Sequence, residues 1–376
     1  MKVLMVTTSY PDYEGSNRGI FIRRLCRELV NQGVQVVVLT PRIFSQSPLF
    51  EEEIGIKLHR FRFPSGGTPL NRLDSIPVFA MSVYMLSGLL AALHLVVKEK
   101  PDVIHGNWIV PTGLIAAVAG WITGTPVINT ARGMDMRVSE KGPVKILFDL
   151  AVKLSNKVTI VSEAMKDRKS LADAEIISSG VNETFFRITP DRGSLNILHT
   201  RSLEKIYDVE TLIKAAPLVL REAPGARFII AGSGSHASTL KELAHSLGVV
   251  DHICFTGPVD HKSIAELMEN ASTYVSTAVA DGTSIALMEA IAAGLPPVVT
   301  DIEANRLLVT HEKDGYLFRP GDERDLADKI LIALSPGISS QTMEKKRRDF
   351  KDMICWNSIA KRFMSSYNHL AGNSGR

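Results

Sequence analysis

The sequence predicts an α/β protein of two domains, each built on a parallel sheet. Three observations carry this. Short β-rich runs alternate with helical patterns along most of the chain, the rhythm of parallel βαβ units. The rhythm comes as two series, separated by the polar turn Thr189-Pro190-Asp191-Arg192-Gly193-Ser194. The 376 residues exceed one small domain and suit two.

In the first series, strands are expected at Val3–Thr7, Val34–Thr40, Val103–His105, Val127–Thr130 and Val158–Val161. Helical patterns lie between them, at Ile20–Gln32, Gly113–Gly120 and Ile146–Leu154; Gly33 is a suitable stop for the first. The second series opens at Leu195–His199 and continues through Arg227–Ala231, His252–Thr256, Thr273–Ser276 and Pro297–Thr300. The tail from about Asp349 to Leu370 reads as one helix carrying Trp356, Phe363 and Tyr367. The domains are therefore expected at 1–188 and 189–355. Two such halves imply a cleft between them, where ligand sites are common.

A formal charge of +3 gives no reason to expect nucleic acid as a partner. Cys26, Cys254 and Cys355 are far apart and form no C-x-x-C pair. That spacing suits a reducing, cytoplasmic setting rather than a disulfide or zinc framework. The apolar run after Met1 is too short for a signal peptide and reads as a first strand. Ile76–Val97 is nearly free of charge and meets the ~20-residue length of a membrane span. A lone span inside a βαβ rhythm is topologically awkward, so a buried or interfacial helix is expected. Nearby basic residues keep peripheral contact with the cytoplasmic membrane face as an alternative.

The strongest local signal is Asp281-Gly282-Thr283-Ser284-Ile285-Ala286-Leu287-Met288-Glu289, running on to Gly294-Leu295-Pro296. Gly282 permits a tight turn, Thr283 or Ser284 suits an N-cap, and Gly294 a helix end. The free N–H groups of such a helix start suit a phosphate or a sugar oxygen. Asp281 and Glu289 stand far enough apart to accept hydrogen bonds from separate hydroxyl clusters of one elongated ligand. A cap for Asp281 and a solvated face for Glu289 are the plainer alternatives. Gly232-Ser233-Gly234 with Ala237 meets a loose dinucleotide pattern, but the next strand, Ile253–Thr256, ends in no acid. No H-E-x-x-H, Walker A, metal-ligand spacing or G-x-S-x-G elbow is present.

Asp281-x7-Glu289 followed by Ala290-Ile291-Ala292-Ala293-Gly294-Leu295-Pro296 resembles the Glu-x7-Glu motif of the retaining glycosyltransferases of family 4. The resemblance implies a GT-B fold: two Rossmann-like domains facing across a cleft, with a terminal helix (about 356–376, including Trp356) completing the first. It also implies transfer of a sugar from a nucleotide-diphosphate donor to a hydroxyl acceptor, such as a glycan or lipid-linked acceptor. Asp281 stands in place of the family's first Glu, which approaches the donor sugar; Glu289 matches the second, which approaches the ribose.

Arg201 and Lys205 look like the family's basic pair on the donor diphosphate, where leaving-group charge needs cations. Phe228–Gly234 resembles the family's strand and glycine turn in the donor domain, with Gly232 a candidate donor contact. The loop holding Gly15 falls where the family has its glycine-rich loop. Asp102–Trp108 resembles an acceptor-domain strand, D-V-I-H-x-H, with His105 kept and Asn107 replacing the second His. Arg132-Gly133-Met134-Asp135 aligns with an H-G-x-D loop, with Arg132 in place of the His. His105 serves equally well as strand-end packing, and Asp135 as support for its loop.

The resemblance thus implies a metal-independent hexosyltransferase with no cofactor beyond its nucleotide-sugar co-substrate. Two other outcomes stay open: a degenerate GT-B protein that binds sugar or nucleotide without transfer, and a GT-B nucleotide-sugar epimerase.

Overall fold

A computed structural model describes residues 1–13, 16, 18–68, 78–132, 135–136, 139, 142–335 and 337–373. The chain forms two compact units, Met1–Gly180 with Trp356–Arg376, and Val181–Cys355.

The first unit holds an eight-stranded sheet in the order β3-β4-β2-β1-β5-β6-β7-β8. Its strands are β1 (Lys2–Thr7), β2 (Gln35–Pro41), β3 (Phe50–Glu53), β4 (Ile56–Phe61), β5 (Val103–Asn107), β6 (Val127–Ala131), β7 (Lys157–Ile160) and β8 (Glu175–Ile176). Only the edge pair β3–β4 is antiparallel. Alternate side chains enter opposite cores, as pleated geometry requires. Val3, Met5, Val36 and Val38 pack with Ile20–Asn31 and the C-terminal helix. Leu4, Val6, Val37 and Leu39 pack against Val78–Glu99 and Leu114–Thr123.

The second unit holds six strands in the order β11-β10-β9-β12-β13-β14. They are β9 (Asn196–His199), β10 (Arg227–Ala231), β11 (Ile253–Gly257), β12 (Thr273–Ser276), β13 (Pro297–Thr300) and β14 (Tyr316–Phe318), all parallel. The strand order reverses direction between β9 and β12, and in the first unit between β1 and β5. Open α/β sheets bind ligands at such switch points, beyond the carboxyl ends of the strands.

Two expectations are corrected. The domain boundary lies at Gly180–Val181 rather than 188–189, because Val181, Phe185, Phe186 and Ile188 are buried in the second unit's core. The polar turn chosen from sequence sits inside that unit, tied down by Asp191 N–H to the Glu269 carbonyl at 2.7 Å. The tail is two helices, Ser340–Ile354 and Trp356–Asn373, broken at Cys355. Cys355 is extended (φ −61°, ψ 140°), and at this residue the chain leaves the second unit. Trp356 then packs on Gly180, where an added Cβ would lie 2.3 Å from the indole. The structure also adds the hairpin β3–β4, a stretch for which the sequence suggested no strand. Two of its three acids are paired: Glu53 with Arg23 and Arg27, and Glu51 with Arg60.

Candidate active site

In the second unit the site grows from the two strands that part at the switch point. β9 and β12 pair only at Ile197–Thr273 and Leu198–Tyr274. His199, fully buried, then bridges the gap through Nδ1 to the Val275 carbonyl at 3.0 Å. A carbonyl only accepts, so Nδ1 carries the proton. Burial lowers this imidazole to about 4 and keeps it neutral.

The next residues of β9's loop and the loop beyond β12 converge on one guanidinium. Arg201 Nη2 lies 2.7 Å from Asp281 Oδ2, and Nη1 donates to Ser284 Oγ at 2.8 Å. Its Cζ stands 4.3 Å from the Tyr207 ring centroid, a cation–π distance. Ser284, not Thr283, is the N-cap of helix Ile285–Ala292 and accepts Leu287 N–H at 3.2 Å. One hydroxyl therefore caps the helix and locates Arg201. Asp281 Oδ1 accepts the Gly282 amide at 2.9 Å. Lys205 is exposed at the start of a 3₁₀ turn, Lys205–Tyr207.

Gly232 has a spacing role. A Cβ there would lie 2.2 Å from the Arg201 carbonyl oxygen, and one at Gly234 would lie 2.3 Å from that of Leu203. The glycine turn lets β10's exit pack directly beneath the Arg201 loop. Glu289 is 3 % exposed, which excludes the solvated-face alternative. Its Oε1 stands 3.4 Å from His261 Nδ1, at the first residue of helix His261–Glu269. Sequence reasoning missed His261 and Tyr207. The first was signalled only by its N-cap, Asp260, which accepts Ser263 N–H at 2.8 Å.

In the first unit, Asn107, Arg132 and Asp135 form one network at the carboxyl ends of β5 and β6. Asn107 Oδ1 accepts Arg132 Nη2 at 2.9 Å, and Asn107 Nδ2 points to Met5 Sδ at 2.8 Å. Arg132 also lies over the Phe21 ring at 4.5 Å. Burial lowers the guanidinium to about 10, so it stays charged at neutral pH. Asp135 is 1 % exposed and accepts the backbone N–H of Arg132 and of Ile109, each at 2.8 Å. Burial raises it to about 7, opposed by those two amides and by Arg132. Asp135 thus supports its loop.

His105 does not face a ligand. It is fully buried, with Nδ1 2.6 Å from Tyr367 Oη and Nε2 2.7 Å from Thr130 Oγ1. It ties the C-terminal helix to β5, and burial lowers it to about 3. Gly15 lies outside the described residues. Nearby, Arg18 grips the buried Asp12 through Nε at 2.5 Å and Nη2 at 2.8 Å, and donates to the Thr8 carbonyl. This clamp on the loop after β1 was not foreseen. A hollow of about 580 Å³ lined partly by Arg42, Phe44, Arg62 and Phe63 contains none of the sequence-selected residues.

A family model described as "Glycosyl transferases group 1" matches residues 181–350, and one described as "Glycosyl transferase 4-like domain" matches residues 19–168. An uncharacterized glycosyltransferase of Methanocaldococcus jannaschii is 25 % identical over 404 aligned residues, covering 100 % of both chains. N-acetyl-alpha-D-glucosaminyl L-malate synthase of Bacillus anthracis is 21 % identical over 93 % of this chain and 92 % of its own length. Among solved structures, sucrose-phosphate synthase from Thermosynechococcus elongatus aligns with a TM-score of 0.75 at 17 % identity, over 99 % of each chain. HepE of Anabaena in complex with UDP aligns with a TM-score of 0.74 at 15 % identity, over 98 % of this chain and 100 % of its own.

Proposed function

The chain belongs to the family-4-type glycosyltransferases and has their GT-B fold; on that premise we propose that it moves a sugar, with retention of configuration, from a nucleotide-diphosphate donor to a hydroxyl acceptor of a glycan or lipid-linked glycan. The observation that carries this reading is the convergence of Arg201, Asp281 and Ser284 at the switch point of the second sheet. Relatives and structural neighbours support it, since HepE was solved with UDP.

Arg201 and Lys205 would hold the diphosphate. A guanidinium has five N–H donors, and the contacts to Asp281 and Ser284 leave others for phosphate. Asp281 and the amides of residues 282–284 would orient the sugar, and Glu289 would take the ribose hydroxyls. As the sugar bond breaks, charge grows on the diphosphate, and preorganised cations stabilise that charge without reorganising. The departing phosphate is the base for the acceptor hydroxyl, so no side chain is assigned that role. Catalysis then rests on positioning and charge stabilisation.

The test is a melting-temperature screen against UDP-, GDP- and ADP-sugars, because a ligand bound only by the native state raises apparent stability. The stabilising donor is then turned over with candidate acceptors, and the product's anomeric configuration is read by NMR. Inversion sinks the retaining assignment. Binding without transfer favours the degenerate alternative, and a changed sugar without acceptor favours an epimerase.

Two further results are expected. Glu289→Gln should weaken donor binding roughly ten- to a hundredfold, the loss of a charge-assisted hydrogen bond of ~1.5–3 kcal/mol. Unchanged donor affinity in titration calorimetry removes Glu289 from the site. Turnover should also survive EDTA. Among the described residues no group of three or more His, Cys, Asp or Glu side chains is placed to hold a metal ion. Loss of activity in EDTA that Mg²⁺ or Mn²⁺ restores would overturn this.

A further inference from the structure

Helix Val78–Glu99 is long and apolar enough to cross a membrane, yet it belongs to the layer beside the first sheet. Tyr84, Gly88, Ala92, Leu95 and Val96 are buried, which makes it a packed helix and not a span. Only 28 % of its most apolar stretch is buried, however. Leu86 and Leu90 are 61 % and 58 % exposed, and Val97 is exposed about two turns further along.

The neighbouring helices continue the same feature. Leu114–Thr123 packs beside Val78–Glu99, and Pro143–Leu154 packs beside Leu114–Thr123. The first presents Trp121, 72 % exposed, and Ile122; the second presents Ile146, 70 % exposed, with Leu147 and Leu150. Isolated exposed apolar residues need no explanation, but runs on three adjacent helices do.

The charges choose the occupant. Each acid on these helices is already neutralised: Glu99 is buried between Lys2 and Lys57, and Asp149 pairs with Lys145 and Arg168. Leu114–Thr123 carries no charge at all. Lys98 and Lys153 are exposed, and no acid is within ion-pair distance of either among the described residues. A second copy meeting this face across a two-fold axis would set like charges together. An anionic headgroup layer complements the lysines, while a tryptophan beside aliphatic side chains suits the interface just below.

We propose that this three-helix face is a docking surface for an anionic lipid bilayer, on which the protein lies without spanning. The proposal stands independently of the sugar-transfer reading, because its test needs no turnover.

The experiment is flotation of the full chain with vesicles of phosphatidylcholine alone and of phosphatidylcholine with phosphatidylglycerol. The protein should float with the anionic vesicles, less at high salt. Brominated lipid should quench its fluorescence, and Trp121→Phe should remove most of that quenching. In Leu86→Glu/Leu90→Glu each substitution should weaken partitioning by roughly tenfold or more. The altered side chains are exposed, so melting temperature should hardly move; Ile146→Glu on another helix provides a second variant. Lys98→Gln/Lys153→Gln should lose the preference for anionic vesicles. Absence of flotation with either vesicle overturns the proposal, as does equal flotation of the glutamate variants. A concentration-dependent dimer in sedimentation that Leu86→Glu/Leu90→Glu abolishes would also overturn it, assigning the face to a second copy.

Discussion

Replacing Arg201 by alanine is expected to lower kcat/KM by about a hundred- to a thousandfold, the usual cost of one oxyanion-type contact, and to lower the melting temperature as well. Read from sequence, Arg201 is a loop cation whose loss leaves folding alone. The structure changes that expectation. Arg201 and Asp281 are 2.7 Å apart, with side chains only 11 % and 15 % exposed. Removing one partner of a buried pair leaves the other charge unpaired, at ~3–5 kcal/mol when burial is complete. The residual exposure here brings the expected loss toward about 2 kcal/mol. Lys205→Ala provides the contrast, because an exposed side chain is expected to affect turnover and not stability. The double variant Arg201→Ala/Asp281→Asn should regain much of the stability and none of the activity, since no charge is left stranded. Steady-state kinetics beside melting curves separate these cases. Near-wild-type turnover in Arg201→Ala removes it from the site, and an unchanged melting temperature means the ion pair does not form in solution.

Folding stability should rise with pH by about 1.4 kcal/mol per unit between roughly pH 5 and 6, where about one net proton separates the two states. His105 and His199 fall from an ordinary 6.5 to about 3 and about 4, both through burial. Across that window the unfolded chain binds two protons that the folded one excludes. Asp135 has the opposite sign: burial raises it from 3.8 to about 7, so the folded state retains a proton that the unfolded state has released. Two minus one leaves one proton bound more by the unfolded chain, and acid therefore destabilises. The half-buried His59 and Asp208 shift in opposite senses and offset each other in sign. Urea unfolding at a series of pH values measures the slope. His105→Gln keeps a hydrogen-bonding group beside Tyr367 and Thr130 but cannot titrate, so its profile should flatten. A variant with the wild-type slope would show that His105 is not excluded from protonation.

Much of the fold was readable because parallel strands buried on both faces appear as short, nearly continuous apolar runs. Val3–Thr7, Arg227–Ala231, Thr273–Ser276 and Pro297–Thr300 need no tertiary information to be seen, and the structure has strands at each. The hairpin β3–β4 was not legible, since three consecutive glutamates argue against a strand until Arg23, Arg27 and Arg60 are known to meet two of them. Cys355 was likewise invisible as a break, because its neighbours on both sides have helical patterns. Only the change of core, from one unit's to the other's, ends the helix there.

The site divides along the same line. Sequence by itself determined which residue types are present and their order: a cation after the first strand of the second domain, an acid and a capping hydroxyl before a helix, and a second acid within it. Those are local properties, set by spacing along one element. Tertiary structure alone decided their partners. It joined Arg201 to Asp281 and Ser284, 80 and 83 positions further along the chain, and buried Glu289 beside His261. It turned His105 from a candidate contact into an anchor for Tyr367. It also brought together Asn107 and Arg132, both departures from the motifs they resemble, so that two guanidinium N–H groups donate to the Asn107 Oδ1. The physical reason is that a charge's role depends on what neutralises it and how much water reaches it. Neither is a property of the local chain; both arise when β9 and β12, or β5 and β6, are laid side by side.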